Sequence, residues 1–94
     1  MAGASDSSSP ALGKSAGFRL ACVQVNAGNE IAPNVEIASG LICQAAKRGA
    51  DFISLPECVA LLEPDRDALF RKSATEDNHP ALAVFSALAG ELGV

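Results

Sequence analysis

The stretch Asp51-Phe52-Ile53-Ser54-Leu55-Pro56-Glu57 decides how this chain is read. A short apolar run of this kind suits a buried strand, and Pro56 ends it because proline cannot donate to a sheet ladder. Glu57 then follows the strand's C-terminal end. In open α/β sheets that end is where ligands bind.

Working back from Asp51, Gly49 is suited to the residue just past a helix, where a left-handed backbone is needed. The helix itself spans roughly Pro33 to Arg48. Val35, Ala38, Leu41, Ile42, Ala45 and Ala46 recur at steps of three and four and form one apolar face. Pro33 suits the first turn, and Glu36 near the start and Lys47-Arg48 near the end complement the helix dipole. Before the helix, Asn26-Ala27-Gly28-Asn29 supplies turn chemistry. Before that turn, Phe18-Arg19-Leu20-Ala21-Cys22-Val23-Gln24-Val25 is apolar except at Arg19 and Gln24. Such a run suits a strand covered on both faces, as in a parallel sheet. Strand, helix and strand make a βαβ unit with parallel strands.

Working forward from Glu57, Pro64-Asp65 opens a short helix reaching Phe70-Arg71, and the polar segment 73–78 reads as a loop. Pro80 opens a last helix with Leu82, Phe85, Leu88, Ala89 and Leu92 at helical spacing, and Gly93 stops it. A further strand of an α/β protein would begin after such a helix. Two strands bury little on their own. The expectation is therefore the N-terminal βαβα portion of a larger α/β domain over residues 18–94. Residues 1–17, rich in Ala, Gly and Ser, read as a disordered leader.

Composition narrows the function classes. The 94 residues are 49% hydrophobic, too apolar for a disordered chain. No run approaches the roughly 18 apolar residues of a membrane span. A net charge of −4 without a basic stripe argues against nucleic acid as a partner. The three cysteines, Cys22, Cys43 and Cys58, have neither metal-like spacing nor an even count. Reduced thiols fit better, and with no secretory pattern the expected location is the cytoplasm.

Several of these segments resemble the nitrilase, or carbon–nitrogen hydrolase, superfamily. Arg19-Leu20-Ala21-Cys22-Val23-Gln24-Val25-Asn26 is similar to its first strand, and Asn34 followed by Ala45-Ala46 and Gly49-Ala50-Asp51 to its helix and turn. Leu55-Pro56-Glu57 resembles its Leu/Phe-Pro-Glu signature, and Leu88-Ala89 with Glu91-Leu92-Gly93-Val94 its next helix. The resemblance implies an αββα four-layer sandwich and hydrolysis of an amide or nitrile by a Glu-Lys-Cys triad. In it Glu57 would be the general base, the Lys would stabilise the tetrahedral intermediate, and the Cys would form a thioester. That Lys and Cys would lie beyond residue 94, so these residues alone are expected to be inactive. The implied enzyme uses no cofactor, acts on a small-molecule amide or nitrile, and forms homo-oligomers. The apolar Cys58-Val59-Ala60-Leu61-Leu62 departs from the polar or aromatic residues usual after the Glu, which leaves substrate class open.

Each candidate also has a plainer reading. An acid after a strand often only caps a turn; a base at Glu57 would need a buried, water-poor site. Cys58 adjoins Glu57, but neighbours in extended chain face opposite ways, and Cys22 and Cys43 read as packing residues. His79, before Pro80, reads as a surface or capping residue, and no cluster has metal-ligand spacing. Lys47, Arg48, Arg66, Arg71 and Lys72 read as solvated helix charges rather than an anion site. Two other function classes stand beside the hydrolase. One is a non-catalytic α/β interaction module, or truncated product, that pairs with another chain. The other is a Rossmann-like binding domain, weakened by the absence of a glycine fingerprint.

Overall fold

The computed structural model describes Ala2–Ala4 and residues 17–94. Ala2–Ala4 forms a strand, β1, and Leu20–Val23 forms β2. Helix α1 spans Ile31–Lys47 and is followed by β3, Phe52–Ser54. Helix α2 covers Arg66–Lys72, a single 3₁₀ turn covers Glu76–Asn78, and α3 covers Pro80–Leu92. The sheet order is β1-β2-β3. β1 runs antiparallel to β2, with Gly3 opposite Cys22; β2 and β3 are parallel, with Leu20 opposite Phe52 and Cys22 opposite Ser54. The described residues thus make a small α/β unit with one parallel strand pair and three helices. The leader expected over 1–17 falls mostly outside them, but its Ala2–Ala4 segment pairs with β2.

The helices start and stop for local reasons. Helix α1 begins two residues ahead of Pro33, at Ile31, and Glu30 at its N-cap makes no side-chain capping bond. Its C-terminus carries a complete stop. Gly49 has φ +88°, its N–H donates to the Ala46 carbonyl, and the Ala50 N–H donates to the Ala45 carbonyl. This is the Schellman arrangement, which glycine adopts without strain. Asp65 caps α2 by accepting from the Ala68 N–H at 2.9 Å. His79 caps α3: its Nδ1 accepts from the Ala81 N–H at 3.1 Å. Gly93, at φ +71°, ends α3 as its sequence position suggests.

The Gly49-Ala50-Asp51 turn also fixes the strand register. The Asp51 carboxylate accepts from the Arg19 N–H at 2.8 Å, and the Asp51 N–H donates to the Arg19 carbonyl at 2.8 Å. The Arg19 guanidinium donates through Nη1 to the Arg48 carbonyl at 2.7 Å, at the negative end of α1. One side chain from each strand start therefore ties β2, β3 and the helix end together.

Packing is on one face of the sheet. Ala21 and Val23 of β2 and Ala38, Ile42 and Ala45 of α1 are buried, and Ile53 of β3 packs against the cluster of Ala21, Ala45 and Ala50. Ala38 and Ala45 are fully buried, so helix and sheet approach closely. On the opposite face Leu20, Cys22, Phe52 and Ser54 are exposed. A strand covered on both faces was expected; among the described residues β2 alternates between buried and exposed positions instead. Helix α3 lies against α1, with Phe85, Leu88, Ala89 and Leu92 half-buried. Leu82, assigned to the same apolar face, is exposed.

Candidate active site

The loops after β2 and β3 meet at the C-terminal end of the parallel pair, and Asn34 joins them. Asn34 is 6% exposed, the only buried polar residue among those described. Its Oδ1 accepts from the Gly28 N–H at 2.9 Å. Its Nδ2 donates to the Gly28 carbonyl at 2.8 Å and to the Ala60 carbonyl at 2.9 Å. The Leu62 N–H also donates to the Gly28 carbonyl, at 3.0 Å. A buried amide satisfied in this way at both ends makes the turn and the loop one rigid piece.

A second tie lies further along. The Lys72 ammonium donates to Glu63 Oε1 and to the Asn29 carbonyl, both at 2.6 Å. Glu63 Oε2 also accepts from the Asp65 N–H at 3.1 Å. The hydrogen bond from Lys72, then that from Asp65, hold the Glu63 carboxyl below its usual value of 4.5. Lys72, read from the sequence as a solvated charge, is instead half-buried and bonded.

Glu57 stands at the start of the loop that Asn34 holds. It follows Pro56, three residues past the end of β3, in a turn. The carboxylate is exposed and makes no hydrogen bond or ion pair with a described residue. These residues therefore do not supply the water-poor surroundings that a base at Glu57 would need.

Cys58 is exposed and has φ +57°, the left-handed region that few residues other than glycine adopt. The extended geometry assumed for the Glu57-Cys58 pair does not apply, because the chain turns there. Cys22 was read as a packing residue and is exposed on the bare sheet face; Cys43 is half-buried in α1. His79 is a capping residue, as its position before Pro80 indicated. Among the described residues no group of three or more His, Cys, Asp and Glu side chains could hold a metal ion. No described helix is long and apolar enough to cross a membrane.

Sequence reasoning placed Asn34 in a motif but missed what it does. A signal was present: Asn34, Ala38, Ile42 and Ala45 lie on one stripe of α1, and a polar residue on a buried stripe must find partners. The Glu63–Lys72 pair had no such signal, since its partners are nine residues apart on a loop and a helix.

Comparison with known proteins adds one finding. A 41-residue stretch, 44% of this chain, is 46% identical to omega-amidase NIT2 of Bos taurus. That stretch spans 15% of the relative's length. No family model matches the chain, and no solved structure matches it. The similarity is to part of a carbon–nitrogen hydrolase.

Proposed function

We propose that these residues are the N-terminal part of a nitrilase-type carbon–nitrogen hydrolase, with an αββα sandwich in the complete protein and Glu57 as its general base. The observation that carries the reading is the position of Glu57. It follows Pro56 at the C-terminal end of a parallel strand, on a loop hung from a buried asparagine. The stretch similar to an omega-amidase supports it.

In this mechanism Glu57 takes the proton of a cysteine thiol as the sulfur attacks the amide carbon. The proton passes to the leaving nitrogen, ammonia departs, and a thioester remains. Water, deprotonated by the same carboxylate, hydrolyses the thioester to the acid and restores the thiol. A lysine stabilises the tetrahedral intermediates. The Cys and Lys come from chain beyond residue 94, and that chain also covers the exposed Glu57 and makes its site water-poor. No cofactor takes part.

The test is to read the frame past codon 94, express the whole product and measure ammonia release from small amides. Glu57→Gln should lower the rate by roughly 10²–10⁴-fold, the usual contribution of a general base. Undiminished activity would reject the assignment.

A second reading is favoured by the exposed Phe18, Leu20 and Phe52. In it the chain is a non-catalytic module that pairs with another chain through its uncovered sheet face. A monodisperse monomer in sedimentation would count against it.

A further inference from the structure

Beside the Glu57 loop lies an open cleft of about 380 Å³, within the size range of small-molecule sites. Its apolar walls include Val59, Leu61 and Leu69, and its polar lining includes Lys72, Ser73 and His79. None of its lining residues is Asp or Glu, although the Glu63 carboxylate lies 2.6 Å from Lys72 Nζ. The walls are held in place: Asn34 fixes the Ala60 carbonyl, and Gly28 fixes the Leu62 N–H. Lys72 is tied to Asn29 and Glu63.

The hydrogen bonds already made decide what the cleft can offer. An ammonium has three N–H donors, and Lys72 uses two, which leaves one. His79 Nδ1 is occupied as the cap acceptor of Ala81, so the neutral ring carries its proton on Nε2, a donor. Ser73 gives its hydroxyl proton to the Leu69 carbonyl at 2.7 Å and donates nothing further. Lys72 and His79, both on the lining, thus each keep one unused donor, and the charge of Lys72 is offset by Glu63. We propose that this cleft binds a small aliphatic carboxylate. Its oxygens accept from Lys72 Nζ and His79 Nε2, and its hydrocarbon lies on Val59, Leu61 and Leu69.

The test needs no turnover, so it stands apart from the hydrolase reading. His79 is the only histidine of the chain, and its ring protons report on the cleft by NMR. Sodium butyrate, sodium acetate and inorganic phosphate are each titrated into the 94-residue chain at ionic strength held constant with chloride. Butyrate should give a saturable shift and bind roughly 15-fold more tightly than acetate, since each of its two further methylenes contributes a factor of about four when buried. Phosphate should bind at least tenfold more weakly than butyrate. Lys72→Met should lose butyrate binding. His79→Asn keeps an oxygen at the cap and should weaken binding several-fold, read on the amide signals of Val59 to Leu61. Phosphate binding as tight as butyrate, no dependence on hydrocarbon length, or unchanged butyrate binding in either variant would overturn the proposal.

Discussion

Replacing Asn34 by alanine should be among the most damaging single changes to this chain, and the structure gives its size. Three hydrogen bonds disappear, to the Gly28 N–H, the Gly28 carbonyl and the Ala60 carbonyl. At about 1 kcal/mol each, the loss is about 3 kcal/mol. The Gly28 carbonyl keeps the Leu62 N–H, but the Gly28 N–H and the Ala60 carbonyl are left to find water. In a domain of this size each kcal/mol lowers Tm by roughly 4–8 °C, so Tm should fall by roughly 12–24 °C. The assay is equilibrium unfolding in urea, together with amide exchange. The Gly28 amide should lose protection in the variant while amides in the middle of α1 keep theirs relative to global stability. Asn34→Asp should be at least as harmful at neutral pH, since it sets an oxygen against two carbonyl oxygens. It should recover partly in acid, where a protonated carboxyl can donate one bond. A loss of stability below about 0.5 kcal/mol, or unchanged protection at Gly28, would refute the claim that Asn34 holds the two loops together.

Three further outcomes are expected. The Glu63 carboxyl titrates below its usual 4.5 in the folded chain, so the contribution of its pair with Lys72 is whole above that value and fades as pH falls through and below it; urea midpoints compared at neutral and acid pH should show this slope, and Glu63→Gln should flatten it. Gly49→Ala forces a side chain into φ +88°, with its Cβ 3.4 Å from Arg19 Nη1, and should cost about 1–2 kcal/mol in urea unfolding. Ala45→Leu places a larger side chain where there is no exposed surface, between Ala21, Ala50 and Ile53, and should destabilise by about 1–3 kcal/mol in the same assay.

The parts of the fold visible in the sequence are those fixed by neighbours in the chain. The spacing of Ala38, Ile42 and Ala45 marked the buried stripe of α1, and Gly49 marked its end. Pro80 and Gly93 bounded α3. What escaped depends on distant residues. Leu20 and Cys22 belong to an apolar run that reads as doubly covered, yet coverage is decided by what lies across the sheet, and only Ala21 and Val23 meet α1. Cys58 turns left-handed although its own side chain disfavours it, at the head of a loop that Asn34 and Gly28 hold from across the sheet. Glu57 was read as the residue immediately past the strand, but the strand stops earlier and Glu57 lies exposed in a turn three residues beyond β3, a burial state that the local sequence does not encode.

The buried apolar residues have a thermal consequence. Six of the eight among the described residues are alanine, and an alanine removes little hydrocarbon from water. Heat capacity rises on unfolding in proportion to the apolar surface released, ordinarily about 12–15 cal/mol/K per residue. This unit should fall below that range and have a shallow stability curve, changing little between refrigerated and warm conditions. Its resistance to heat then rests on bonds such as those of Asn34 and Asp51 more than on its oil, and calorimetry should find its unfolding enthalpy nearly constant with temperature.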